Sequence, residues 1–116
     1  MKTTLSNLIC LESNVKIYIP GTVNVNHKTN NQKYIDLALN LFSGCFGGST
    51  KYQAIGTWIS PGSGLIKERI NIIESYCTEN DLKNNIDIII EFCKKLKYEL
   101  NQENISLEIN NKLYFI

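Results

Sequence analysis

Residues 41–58, LFSGCFGGSTKYQAIGTW, place the end of an apolar helix, a glycine pair and an aromatic strand in one window. Upstream, Tyr34, Leu37, Ala38, Leu41 and Phe42 recur at three- and four-residue steps, which predicts a helix over about 31–43 with one apolar face. Asn30 or Asn31 can cap its start. Gly44 stands where a left-handed C-cap favours glycine, and Gly47-Gly48 is a second permissive point. Downstream, a strand over about 50–60 puts Tyr52, Ala54, Gly56 and Trp58 on one face and Ile55, Thr57 and Ile59 on the other. The turn Pro61-Gly62-Ser63-Gly64 leads into a further strand over about 65–76, so the two form a hairpin.

Working outward, Val15, Ile17 and Ile19 alternate with Lys16 and Tyr18, the period of a half-buried strand, and Pro20-Gly21 ends it. A polar loop to Asn31 follows and holds His27, the one histidine. Thr78 opens a long helix, with Asp81 three residues on as in a capping box. Leu82, Ile86, Ile89, Cys93, Leu96 and Leu100 form its apolar stripe. Glu79 and Asp81 lie at the positive end of its dipole, and Lys94, Lys95 and Lys97 near the negative end. A strand over 105–109 and the Asn110-Asn111 turn lead to a terminal strand over 112–116. The order is βαββαβ plus one strand, which predicts a ferredoxin-like α+β domain over 14–116, an antiparallel sheet with both helices on one face. Residues 1–13 read as an arm or an extra edge strand.

Composition narrows the function classes. The 116 residues carry a net charge of +1, which argues against wrapping duplex nucleic acid. No stretch reaches a membrane span, and no leader is read at the N-terminus, so a cytoplasmic protein is expected. Cys10, Cys45, Cys77 and Cys93 lie far apart without a Cys-x-x-Cys pair, which reads as reduced thiols rather than a metal site. No cofactor is expected.

Between the third strand's two parities, Ile66, Ile70 and Ile72 are assigned to the helices, leaving Lys67, Arg69, Asn71 and Ile73 on the open face. Such a mixed face suits a homodimer or larger homo-oligomer, or a single-strand platform, although Tyr18 is the one aromatic on its central strand. On this parity Glu68 faces the helices, either as the polar anchor of a pocket or paired with Lys51 or Lys67 near the strand end. Trp58 suits a core, an interface or a stacking surface. Gly47-Gly48 stops a helix or lets backbone approach a ligand. Arg69 is the lone arginine, a surface charge or a fork for an anion.

The segments Ile17-Tyr18-Ile19-Pro20-Gly21-Thr22, Phe46-Gly47-Gly48-Ser49-Thr50, Gly56-Thr57-Trp58 and Glu68, in that order, resemble a family of small ferredoxin-like proteins of bacterial mobile elements and phages. The group called Sequestin is of this kind, and it sequesters nucleotide-derived immune signals such as ADP-ribose conjugates and cyclic nucleotides. The resemblance implies a non-catalytic sponge that blocks anti-phage defence in the host cytoplasm. Trp58 or Tyr18 would stack an adenine. Phe46, Gly47, Gly48, Ser49 and Thr50 would line the ligand, with donors from the last four. Lys51, Lys67 or Arg69 would neutralise a pyrophosphate, and Glu68 would accept from a ribose hydroxyl. Two other classes stay open: a module that docks a protein through the open sheet face, and a small hydrolase using Glu68 and His27.

Overall fold

A computed structural model describes residues 2–24, 27–28 and 31–116; the side chains of residues 2, 3, 22–24, 27 and 28 lie outside the description. In chain order the elements are α1 (Lys2–Ser6), β1 (Ser13–Pro20), β2 (Thr22–Asn24), β3 (His27–Lys28), α2 (Gln32–Phe46), β4 (Thr50–Ser60), β5 (Gly64–Cys77), α3 (Glu79–Glu99), β6 (Ser106–Ile109) and β7 (Lys112–Phe115). Strands β4-β5-β1-β6-β7 form one antiparallel sheet in that order. With β7 set aside, this is the strand order of the split βαβ, so the expected ferredoxin-like α+β architecture is present.

The core lies between the sheet and the two long helices. Val15, Ile17, Ile19, Ile73 and Leu107 rise from the sheet; Ile35, Ala38 and Phe42 of α2 and Ile89, Cys93 and Leu96 of α3 descend on them. Burial pushes the Cys93 thiol up to about 12, so it stays protonated and acts as a small apolar residue. On α2 the buried stripe is Ile35, Ala38, Phe42 and Phe46, whereas Leu37, expected within it, is exposed.

The helix ends follow local chemistry. α2 does not stop at Gly44 but continues one turn to Gly47, whose φ of 89° is left-handed and whose N–H bonds the Ser43 carbonyl at 2.8 Å. That extra turn seats Phe46 edge-on against Phe42 at 5.8 Å, an apolar gain that Gly44 does not interrupt. Asn31 is the N-cap, but its side chain makes no cap bond and instead donates to the Pro20 carbonyl, tying the helix start to the end of β1. Thr78 caps α3 as expected, its hydroxyl accepting from the Asp81 N–H at 3.0 Å. Thr78→Ala should cost about 1 kcal/mol in chemical denaturation, and Thr78→Asp should recover most of it.

The parity of β5 reverses the expectation. Ile73 pairs with Ile17 and Ser75 with Val15, so Ile73, Ser75 and Cys77 face the helices and carry Asn71, Arg69 and Lys67 with them. Ile66, Glu68, Ile70, Ile72, Glu74 and Tyr76 take the open face. Isoleucines occur on both parities of this strand, and the segment beneath the helices decides, because Ile73 is fully buried there. Beyond the helices, β4 and β5 continue as a hairpin with apolar residues showing on both sides: Ile55, Ile59 and Leu65 on one, Trp58 on the other.

Candidate binding cleft on the open sheet face

Opposite the helices, the register aligns Tyr18 with Ile72, Pro20 with Ile70, Gly56 with Glu68 and Trp58 with Ile66. Tyr18, Tyr52, Trp58, Tyr76 and Glu68 thus share one face. A cleft of about 170 Å³ opens on it at the end of β1. Its walls are Tyr18 and Pro20 of β1, Glu68 and Ile70 of β5, Gln102, Asn104 and Ile105 from the α3–β6 connection, and Ser106 at the start of β6. Trp58 lies diagonally from Glu68 on the neighbouring strand, at about 7–8 Å by sheet geometry, with 46% of its surface exposed. At Gly56, opposite Glu68, a Cβ would stand 2.5 Å from the Ile70 Cδ1, so the glycine leaves the tip of Ile70 its place at the cleft wall.

The cleft holds one carboxylate and one aromatic, Glu68 and Tyr18, on a face that is acidic and aromatic beyond it. Among the described residues of the five-stranded sheet, this face carries three carboxylates, Glu68, Glu74 and Glu108, and one cation, Lys16. The Tyr18 hydroxyl donates to Glu108 at 2.8 Å. Burial and that bond to a carboxylate hold the phenol above its ordinary range, so Tyr18 stays a neutral donor at physiological pH.

The structure therefore splits the residues expected to share a site. Tyr18 and Glu68 line one cleft, and Trp58 shares their face a diagonal step beyond Glu68 without lining the cleft. Lys67 and Arg69 point from the opposite face of β5, and Lys51, paired with Ile73, points the same way from β4. Glu68 does not face the helices, so it needs no burial against the core. Phe46 is a core residue, 8% exposed. Gly47, Gly48, Ser49 and Thr50 form the α2–β4 turn, roughly 20 Å along β4 from Gly56. The polar groups of that turn bond within the fold: Ser75 donates to the Gly48 carbonyl at 2.6 Å, and Ser49 meets Ser43 at 2.8 Å. The proposed pyrophosphate grip thus has its cations on the wrong face. The His27 side chain lies outside the described residues, so the Glu68–His27 pairing has no geometry to report. Gln102, Asn104, Ser106 and Glu108 were not singled out from the sequence; the polar run NQEN at 101–104 before a strand was the available signal. Among the described residues no helix is long and apolar enough to cross a membrane.

No protein-family model matches the sequence, and no curated protein matches it. Two solved structures share the fold. A phage SAM lyase in complex with S-methyl-5'-thioadenosine superposes with a TM-score of 0.65 at 16% identity, over 94% of this chain and 92% of that one. A phage SAM lyase in its apo state gives 0.63 at 15% identity, over 90% and 87%. Both are phage proteins, in line with the phage side of the resemblance drawn from the sequence. Both are also enzymes, which corrects the expectation of a non-catalytic protein: in those proteins the same fold serves a lyase, in one of the two structures with an adenosine thioether bound.

Proposed function

We propose that the chain binds an adenosyl sulfonium compound of the S-adenosylmethionine type in the Tyr18–Glu68 cleft and cleaves it to a neutral thioether. The observation that carries this reading is the charge on the aromatic face: among the described residues, three carboxylates to one lysine. Such a face repels a pyrophosphate and attracts a sulfonium cation, while Trp58 and Tyr18 offer flat surfaces to a base. The two lyase structures on the same fold add support. Cleavage breaks a bond between the sulfonium sulfur and a carbon of the amino-acid chain. The electron pair stays on sulfur, giving S-methyl-5'-thioadenosine. The carbon that loses sulfur forms a bond to the fragment's own carboxylate, closing a lactone, or takes up the pair of a neighbouring C–H bond as a double bond while the proton passes to water, so no second reactant is needed. Glu68, at the cleft wall, holds the sulfonium by charge. Consumption of a host sulfonium donor gives the anti-defence role a route that requires no captured signal.

The expected homo-oligomer belongs to this reading. A cleft of about 170 Å³ falls short of the roughly 300 Å³ at which enclosed ligand pockets begin. The chain exposes 7783 Å², against about 6,400 Å² for a compact monomer of its mass. Its radius of gyration is 16.0 Å, against about 13 Å for a compact domain of this length. The projecting hairpin, with Ile55, Trp58, Ile59 and Leu65, and the N-terminal segment, with Leu5, Leu8 and Ile9, both add exposed apolar surface; in this reading a second copy against the open face closes the cleft.

The test is incubation of the purified protein with S-adenosylmethionine, ADP-ribose and a cyclic dinucleotide, followed by mass spectrometry. Release of S-methyl-5'-thioadenosine is expected. Retention of the cyclic dinucleotide or ADP-ribose without loss of S-adenosylmethionine sinks the proposal. Trp58→Ala should weaken ligand binding by about 1–3 kcal/mol, the size of one base–aromatic stack, and leave the thermal midpoint within a few degrees. A collapse of folding instead would make Trp58 a structural residue.

A further inference from the structure

From the cleft, a row of polar side chains runs along the open face across three strands. Tyr18 donates to Glu108 Oε1 at 2.8 Å. Lys16 Nζ stands 3.5 Å from Glu108 Oε2 and 3.7 Å from Glu74 Oε2. Asn14 Nδ2 donates to Glu74 Oε2 at 2.9 Å. The Lys16, Glu74 and Glu108 side chains are only 16–24% exposed. Two partly desolvated carboxylates on one face repel and turn toward water unless a cation stands between them. Lys16 occupies that position.

We infer that Lys16 is a positioning residue: by holding Glu108 against the Tyr18 hydroxyl, it fixes the phenol ring as a wall of the cleft. This rests on the proposed reading only in treating that ring as a ligand contact. The clamp itself is a property of the fold. Lys16 does not touch the cleft, so its effect travels through Glu108. The groups around Tyr18 are Lys16 on its own strand, Glu108 on β6, Tyr52 on β4 and Glu68 on β5; Glu74 of β5 faces Lys16. Burial lowers the Lys16 pKa, but Tyr52, Glu108 and Glu74 together outweigh it and hold the ammonium above its ordinary value. The clamp is therefore charged at physiological pH.

The experiment separates a clamp from a mere nearby charge, because the two change Tyr18 in opposite directions. Tyrosine is labelled at Cζ, the Tyr18 resonance is assigned with Tyr18→Phe, and its titration is followed by 13C NMR. In the unaltered protein it titrates above the ordinary phenol range. If Lys16 holds Glu108, Lys16→Met frees the carboxylate to turn away and the Tyr18 pKa falls. If Lys16 is only a nearby cation, its loss raises the Tyr18 pKa further, and the inference is overturned. In turnover of S-adenosylmethionine, Lys16→Met should raise KM about tenfold, the scale of coupling between residues in contact, with kcat within about twofold. Lys16→Arg should restore both readouts. Should Lys16→Met fail to fold, Lys16→Gln is read in the same way. A fall in the Tyr18 pKa without any sulfonium turnover by the unaltered protein would retain the clamp and reject the substrate. Turnover with unchanged KM in Lys16→Met would retain the substrate and reject the clamp.

Discussion

Glu68→Gln should reduce turnover of S-adenosylmethionine by about 10²–10³-fold while the fold stays intact. Glu68 lies on the open face opposite Gly56, at the wall of the cleft and away from the helix-packed core. Glutamine preserves its volume and most of its hydrogen bonding, and it removes only the charge. If that charge holds a sulfonium and accommodates the change to a neutral thioether, its loss falls mainly on kcat/KM. Binding of S-methyl-5'-thioadenosine, which carries no sulfonium charge, should change much less. Equal losses for the charged substrate and the neutral thioether would place Glu68 in general ligand packing and remove the electrostatic argument. Circular dichroism and a thermal midpoint within a few degrees of the unaltered protein are the folding controls.

Phe42→Ala should cost about 3–5 kcal/mol of folding stability, among the largest losses a single truncation in this chain can produce. Phe42 is fully buried and meets Phe46 edge-on at 5.8 Å in the core cluster. Truncation removes a large apolar surface and leaves a cavity that the rigid sheet beneath it cannot fill. Against the 5–15 kcal/mol that holds a typical domain together, this is a large fraction, and the thermal midpoint should drop by more than about 10 °C. Leu37→Ala on the same helix is the internal contrast. Its side chain is exposed, and the change should stay within about 0.5 kcal/mol. Similar losses at both positions would mean that α2 is rotated from the orientation described.

Much of the site was legible by residue and not by partnership. Tyr18, Trp58 and Glu68 attract notice because each is an unusual residue in its local pattern. Their meeting on one face depends on the β1–β5 register, which no local pattern contains. Strand alternation alone sets Lys67 and Arg69 opposite Glu68, and the register decides that Glu68, not they, shares the face of Tyr18 and Trp58. Gln102, Asn104 and Ser106 reach the cleft from more than thirty positions downstream of Glu68, brought there by the crossover through α3. Polar loop residues carry no periodicity, so only the tertiary path marks them.

The order of the five sheet strands and the two long helices was determined by the chain alone, whereas the short helix α1 and the β2–β3 pair fell in segments read as an arm or edge strand and as a polar loop. Three- and four-residue apolar steps, alternating strand residues, the Thr78 cap and the Pro61–Gly64 and Asn110–Asn111 turns each act within a few residues, so they can be read locally. Two features waited for the tertiary structure. The end of α2 passed Gly44 because Phe46 gains a core contact one turn later. The facing of β5 was decided by the burial of Ile73 beneath the helices, because a strand with isoleucines on both parities has no preference of its own. Among the described residues that choice of face places one lysine with three carboxylates beside the aromatics, and the chemistry proposed for the cleft follows from it.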